Sequence, residues 1–91
     1  MSKKEIHELF DMVLAIGSSS KHHVNFELDT QEYAGNELDL TVYIFERENG
    51  VSKGIIDRYD ITAFDVHAKV WLEAWAKIVN KEREEDVINR Y

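Results

Sequence analysis

Apolar residues recur at helical spacing near the start of the chain. Over residues 3–16 they fall three or four positions apart: Ile6, Leu9, Phe10, Val13 and Ile16. This spacing predicts an amphipathic helix with one buried face. Ser2 and Glu5 have capping-box spacing, and Gly17 is placed to end the helix in a left-handed backbone conformation. A loop over residues 18–21 is expected to follow.

The next two segments alternate between apolar and polar residues, which is typical of half-buried strands. The first strand is predicted over residues 22–30, where Asn25, Glu27 and Asp29 occupy the polar positions. Residues 31–37 contain Gly35-Asn36 and predict a turn. The second strand is predicted over residues 38–47, with apolar residues at the even positions as far as Ile44. Its odd positions begin polar and end aromatic, with Tyr43 and Phe45.

Asn49-Gly50 predicts a type I′ hairpin, because both residues tolerate a positive φ. A third strand then runs from Val51 to Tyr59 or Asp60. A regular two-residue hairpin places Ile44 opposite Ile55, Tyr43 opposite Ile56, and Phe45 opposite Gly54. The same register places Asp57 opposite Val42 on the core side. Either a bulge shifts the strand, or Asp57 lies at the sheet edge within reach of water.

A second amphipathic helix is predicted near the end of the chain, opened by the capping-box-like pair Thr62 and Asp65. Its apolar stripe contains Phe64, Ala68, Trp71, Leu72, Trp75, Ile78 and Val79. The two tryptophans are either part of a small core or a pair of anchors for a partner. Beyond the stripe, a continuing helix would turn Glu82, Asp86 and Asn89 toward the core. The tail from about residue 81 is therefore predicted as a solvated extension or a break, with Val87, Ile88 and Tyr91 in a short terminal turn.

The predicted fold is α+β: an N-terminal helix, a three-stranded antiparallel β-meander and a C-terminal helix, with a short third helix as an option. The 91 residues suffice for a single domain, expected over residues 1–91. The chain has no cysteine, which excludes disulfides and thiolate metal sites. We find neither a signal peptide nor a membrane-spanning stretch in the sequence, so a cytoplasmic location is expected.

The chain carries 18 Asp and Glu against 11 Lys and Arg, a formal net charge of −7. An acidic surface repels nucleic acid and anionic membranes, so neither is expected as a direct partner. A protein partner with a basic surface is compatible with this charge, although acidity also serves solubility alone.

No catalytic motif is recognisable. The sequence has no G-x-S-x-G, no glycine-rich phosphate loop and no HExxH or EF-hand spacing. His22 and His23 are adjacent, so on a strand they point to opposite faces and cannot chelate one ion together. We therefore expect a protein that is not an enzyme and that needs no metal or cofactor.

The distribution of charge indicates a candidate binding surface. Between Lys21 and Arg47 there is no Lys or Arg. A meander gathers the end of strand one, the start of strand two and the end of strand three at one edge. The predicted acidic edge contains Asp29, Glu32, Glu37, Asp39, Asp57, Asp60 and Asp65. Such an edge is either a solvated rim or a surface for a basic cleft.

An aromatic patch is the second candidate surface. Tyr43, Phe45 and Ile56 fall on the strand face opposite the even-numbered apolar residues. Either one helix covers each face of the sheet, or this patch is left for a partner or a second copy of the chain.

The acidic strand ends, together with a tail from Trp75 through Glu82, Glu84, Glu85 and Asp86, resemble small phage-encoded inhibitors. The order helix, three strands, helix is similar in layout to certain type II anti-CRISPR proteins. The resemblance implies a protein that places carboxylates in the nucleic-acid cleft of an effector nuclease, as a DNA mimic. It covers most of the chain as architecture and includes no specific motif.

The expected function is accordingly that of an acidic inhibitor that occupies a basic, nucleic-acid-binding site on a partner protein. The alternatives are an immunity or antitoxin protein that neutralises a toxin enzyme, and a small phage structural or assembly protein that oligomerises.

Overall fold

The computed structural model describes residues 3–31 and 37–88. Its elements are α1 (Lys3–Ile16), β1 (His22–Gln31), β2 (Glu37–Glu48), β3 (Val51–Ile61) and α2 (Val66–Ile88). The strands form one antiparallel sheet in the order β1-β2-β3. The predicted α+β order of helix, meander and helix is confirmed. The expected features at Ser2, residues 32–36, Asn89 and Tyr91 lie outside the described residues.

Both helices pack on the same face of the sheet. The core cluster joins the apolar face of α1, the even-numbered residues of β2 and the buried residues of α2: Leu9, Val13, Ile16, Leu40, Val42, Ile44, Ile61, Phe64, Ala68, Leu72 and Val79. Phe10 of α1 contacts Phe26 of β1, with ring centroids 5.9 Å apart. The Tyr59 ring of β3 contacts the Trp71 ring of α2, with centroids 5.3 Å apart. Over residues 3–31 and 37–88 the fold therefore has two layers, and no helix of this part of the chain lies on the other face of the sheet.

The turns at Gly17 and Asn49-Gly50 adopt the predicted backbone conformations. Gly17 has φ +67°, the left-handed conformation that ends α1. Asn49 and Gly50 have φ 53° and 77°, as a type I′ hairpin requires.

The predicted pairing of β2 with β3 is wrong, because register shifts fall between Ile44 and Phe45 and between Glu46 and Arg47. Phe45 pairs with Ile55, and Glu46 pairs with Gly54, whose φ is +142°. Ile44 pairs with Asp57 instead of Ile55, and Tyr43 pairs with Arg58 instead of Ile56. Ile56 is the extra residue of a bulge, and the hypothesis that a bulge shifts this strand is confirmed.

Asp57 lies on the helix-covered face and is bonded there. Its Oδ2 atom accepts the indole N–H groups of Trp71 at 3.1 Å and Trp75 at 2.9 Å. Its Oδ1 atom accepts the backbone N–H of Arg58 at 2.8 Å. Both tryptophans pack at the margin of the core and are half-buried. The carboxylate thus ties β3 to α2, which satisfies the polar tips of two large rings.

The start of α2 also differs from its prediction. Asp65, and not Thr62, is the N-cap: its Oδ1 atom accepts the backbone N–H of Ala68 at 3.0 Å. Ile78, expected in the buried stripe, is 44% exposed.

Of the two alternatives predicted for the tail from about residue 81, the break is wrong and an extension of the helix is observed, since α2 continues to Ile88. Glu82 does turn inward, where it accepts hydrogen bonds from Ser19 Oγ at 2.9 Å and contacts His22 Nδ1 at 2.7 Å. Asp86 accepts the backbone N–H of Ser20 at 2.8 Å and the Ser20 hydroxyl. The last turns of α2 are therefore attached to the loop before β1 by polar contacts. No separate third helix is present among the described residues.

Candidate protein-binding face of the sheet

The uncovered face of the sheet, here called the open face, collects residues that pair directly across the strands. Cross-strand partners project to the same side of a sheet, so the register defines this surface. It contains His23, Asn25, Glu27, Asp29, Asp39, Thr41, Tyr43, Phe45, Ile55, Arg58 and Asp60.

Four carboxylates lie toward one end of the open face. Glu27 pairs with Thr41, Thr41 pairs with Asp60, and Asp29 pairs directly with Asp39. Neighbouring strands are about 4.8 Å apart and alternate residues along a strand about 6.6 Å apart, so these carboxylates form a close array. Like charges directly opposite each other, as at Asp29 and Asp39, are unfavourable in an isolated sheet. Their placement together gives this end of the sheet a negative potential.

Internal contacts hold part of this array. Asp60 accepts from the Arg58 guanidinium at 3.1 Å and from the Thr41 hydroxyl at 2.8 Å. These hydrogen bonds, first from Arg58 and then from Thr41, lower the pKa of Asp60 below its ordinary value. The bond to Asp60 likewise raises the pKa of Arg58. Asp60 is therefore ionised at neutral pH, and its carboxylate is held in place by these two donors.

Tyr43 links the acidic end to the aromatic end. Its hydroxyl donates to Glu27 Oε2 at 3.1 Å, and the Arg58 guanidinium lies 5.8 Å from its ring centroid. Burial, followed by the bond to Glu27, raises the pKa of the Tyr43 phenol. The phenol is therefore protonated at neutral pH and serves as a donor.

One carboxylate oxygen of Asp39 receives no hydrogen bond from the described residues. Its Oδ1 atom is out of contact with solvent and receives no hydrogen bond from the described part of the chain. A buried acceptor without a partner costs about 1–3 kcal/mol, and more when it is charged.

The other end of the open face is aromatic and apolar. Phe45 lies 6.0 Å from His23 and 6.4 Å from Tyr43, measured between ring centroids. Ile55, opposite Phe45, is 54% exposed. Of the two arrangements considered for the aromatic patch, a helix on each face of the sheet is not found among the described residues, and Tyr43 and Phe45 lie on the open face. Ile56, the third predicted member, is exposed but pairs with neither of them.

The predicted acidic edge is divided between several locations. Asp29, Asp39 and Asp60 come together on the open face, joined by Glu27, which the edge prediction omitted. Glu27 belongs to the alternating polar positions of β1, and this alternation is the sequence signal that places it on the open face. Asp57 is on the opposite face under the two tryptophans, and Asp65 caps α2.

Two further members of the predicted edge are Glu37 and Glu32. Glu37 begins β2 and pairs through its backbone with Gln31. Glu32 lies outside the described residues.

The hydrogen bonds among Ser19, His22 and Glu82 are not arranged as in a catalytic triad. In a triad the hydroxyl donates to the imidazole, which a carboxylate orients. Here the Ser19 hydroxyl donates to Glu82, and Ser19 is 5% exposed. The contacts of this cluster join α2 to the loop before β1.

Within residues 3–31 and 37–88, no group of three or more metal-ligating side chains converges. None of the helices in that part of the chain is long and apolar enough to cross a membrane. Comparison with protein-family models, curated proteins and solved structures gave no match for this chain.

Proposed function

We propose that this protein is an acidic inhibitor that binds a basic, nucleic-acid-binding site of a partner protein through the open face. The observation that carries this proposal is the array of Glu27, Asp29, Asp39 and Asp60 on a sheet face that no helix covers. Of the side chains that the structure describes, Arg58 is the one basic group among these carboxylates on the open face.

The spacing of the array supports a role as a phosphate substitute. Carboxylates on a rigid sheet hold their separations, whereas those on a loop do not. A basic cleft that binds a nucleic-acid backbone has cationic side chains in a row, and a fixed array of carboxylates complements such a row.

The aromatic end supplies the contact expected to slow dissociation. Charges at the rim of an interface mainly increase the association rate, while buried aromatic anchors dominate its lifetime. Phe45 and Tyr43 lie next to the acidic array on the same face. The open face thus combines both kinds of contact on one surface.

An immunity or antitoxin protein that neutralises a toxin enzyme would use the same surface in the same way. The identity of the captured partner separates this function from inhibition of a nucleic-acid effector. An assembly protein would instead pair the aromatic ends of two copies, and its binding would resist salt.

The test is capture of partners from a lysate of the native host, at low and at high salt, with mass spectrometry. The binding variant is Asp29→Lys/Asp39→Lys/Asp60→Lys. Its matched control reverses three exposed carboxylates on the helices, Glu8→Lys/Glu73→Lys/Glu84→Lys, with the same change in net charge.

The proposal predicts that the wild type and the control capture a basic protein at low salt, while the binding variant does not. For the captured partner, we expect the binding variant to associate at least about tenfold more slowly at low salt. Circular dichroism confirms that each variant is folded. Equal capture by both triple variants would contradict the proposal, and recovery of this chain alone would favour assembly.

A further inference from the structure

The outer edge of β1 is a surface that the proposed function does not use. In the described part of the chain, β1 pairs on one side only, with β2. The Lys21 carbonyl bonds to β2, whereas the next carbonyl, that of His22, bonds to the loop before β1. By this alternation Val24, Phe26 and Leu28 direct their backbone N–H and C=O groups outward. We propose that a second copy of the chain pairs with this edge, β1 antiparallel to β1, about a two-fold axis at Phe26.

The two edge strands of the sheet differ in how they resist such pairing. Natural sheets protect an edge with lysine, with proline or with a bulge. β3 carries Lys53 and has a bulge at Ile56. β1 has no lysine, arginine or proline over residues 22–31, and it pairs with β2 without a register shift. Of the two edges, that of β1 is therefore the one suited to the addition of another strand.

A two-fold axis at Phe26 aligns the outward backbone groups of the two copies. Phe26 pairs with Phe26 of the other copy, and Val24 pairs with Leu28. The Phe26 N–H is held by the side chain of its neighbour, Asn25 Oδ1, at 2.9 Å, a bond that a backbone carbonyl can replace. An axis one residue earlier, at Asn25, would need outward bonds from His22, whose carbonyl already accepts from the loop.

The charged residues of β1 also favour this register. With the axis at Phe26, Asp29 of each copy lies opposite His23 of the other, and Glu27 lies opposite Asn25. With the axis one residue later, Glu27 would lie opposite Glu27. Like charges directly opposite each other destabilise a strand pair, whereas complementary groups stabilise it. The strand is thus complementary to itself in the register that also aligns its backbone.

His23 has a donor for the carboxylate that it would meet. The Arg47 guanidinium lies 3.1 Å from His23 Nδ1, and a guanidinium can only donate. Nδ1 is therefore the acceptor of the neutral ring, and Nε2 carries the proton. This Nε2–H group would donate to Asp29 of the other copy. Within its own sheet Asp29 lies opposite Asp39, so the donor offsets a contact between like charges.

Apolar side chains accompany this edge on the helix-covered face. Leu14 of α1 is 67% exposed and Leu28 of β1 is 50% exposed. Between α1 and β1 lies a groove lined by Val13, Leu14, Gly17, Ser18, Val24 and Phe26. Because Leu28 of the second copy lies opposite Val24, its side chain falls beside this groove. Pairing therefore covers exposed apolar surface on both copies.

Sedimentation equilibrium of the purified full chain measures this pairing. The join is small, so we expect a monomer–dimer equilibrium with a Kd of roughly 10–100 μM, measured over about 1–500 μM protein. Leu28→Lys places a charge at the join and should weaken dimerisation about tenfold or more. The matched control is Ile56→Lys, which charges an equally exposed residue, also 50%, on the other edge strand. This control should dimerise as the wild type does, and circular dichroism verifies that both variants are folded.

Amide exchange at the two ends of this concentration range locates the join. The N–H groups of Phe26 and Leu28 should exchange about tenfold more slowly in the dimer. The Arg58 N–H on β3 is the matched reference, because it is also held by the preceding side chain, Asp57 Oδ1, at 2.8 Å. Its exchange rate should be the same at both concentrations.

The proposal is overturned by a chain that stays monomeric at about 500 μM, or by Ile56→Lys weakening dimerisation as much as Leu28→Lys. Slower exchange at Arg58 in place of Phe26 would overturn it as well. Partner capture by Leu28→Lys is measured in parallel. Leu28 lies on the helix-covered face, and the join leaves the open face uncovered, so capture should persist. Failure of the pairing is therefore distinguishable from failure of the proposed function.

Discussion

Asp57 is the most informative residue to replace, because one carboxylate oxygen accepts two indole N–H groups. Trp71 and Trp75 are one helical turn apart on α2, and both donate to Oδ2 of Asp57 on β3. No basic side chain of the described residues pairs with this carboxylate. Its replacement therefore tests whether the two helix-to-sheet hydrogen bonds stabilise the fold.

The expected magnitude follows from the chemistry of each replacement. Asp57→Ala leaves two indole donors without an acceptor, and a hydrogen bond to a charged group contributes about 1.5–3 kcal/mol. The site is half-buried, so water partly replaces the lost acceptor, and we expect a loss of about 2–4 kcal/mol. Asp57→Asn retains an oxygen that can take the Oδ2 position, so its loss should be smaller, about 1–2 kcal/mol.

Urea unfolding followed by tryptophan fluorescence measures these losses. A domain of this size has a stability of about 5–14 kcal/mol, so both variants should remain folded in water. The double-mutant cycle of Asp57→Ala with Trp75→Phe isolates the bond, because phenylalanine keeps a ring but has no N–H group. We expect a coupling of about 1 kcal/mol or more between the two sites. Additive losses, or an Asp57→Ala loss below about 0.5 kcal/mol, would refute the reasoning.

Three further predictions follow from the turns, the open face and the end of α2. Gly17→Ala and Gly50→Ala should each cost about 1–2 kcal/mol because an alanine is strained at positive φ, and the Arg83 guanidinium beside Gly17 adds little because it ends a flexible side chain that can move aside; an unchanged stability of either variant in urea unfolding would contradict this. The pKa of Asp60 is lower in the folded state, so its ionised form stabilises the fold above the unfolded pKa, and this contribution disappears as pH falls through the folded value. Asp60→Asn should therefore be less stable than the wild type at pH 7 and should approach it in urea unfolding near pH 3; a pH-independent difference would count against the bond. Glu82→Gln should accelerate amide exchange over residues 82–88 by about tenfold without affecting the start of α2, and unchanged protection would show that these contacts do not hold the helix end.

The sequence predicted the elements well because their signals are local. The apolar spacing of residues 3–16 coincides with α1, and period-two alternation located the strands to within one or two residues. The Asn49-Gly50 turn follows from the tolerance of these two residues for positive φ. Such features depend on neighbouring positions and need no knowledge of the tertiary packing.

The candidate site was only partly predictable, because the register of the strands decides which side chains lie opposite each other. The prediction assumed a regular hairpin register, which does not include the two irregularities found in the β2–β3 pairing. The shift between Glu46 and Arg47 changes which side chains face each other, so Ile55 and not Gly54 lies opposite Phe45. Similarly, a prediction of the acidic edge from the strand ends alone does not distinguish exposed carboxylates from those that are bonded within the fold. Whether a carboxylate is free or bonded, as Asp57 is to two tryptophans, depends on the helix that packs over it.

The end of α2 shows why an apolar stripe underestimates the length of a helix. The stripe stops at Val79, and the next inward positions carry Glu82 and Asp86, which on pattern alone predict that packing ends there. A carboxylate facing inward is unfavourable only if it lacks donors. The loop before β1 supplies hydroxyl and backbone N–H groups to these two positions, and His22 at the start of β1 supplies an imidazole. A serine-rich loop that ends beside an acidic helix face is thus a complementary pair, and it becomes recognisable only when the two segments are considered together.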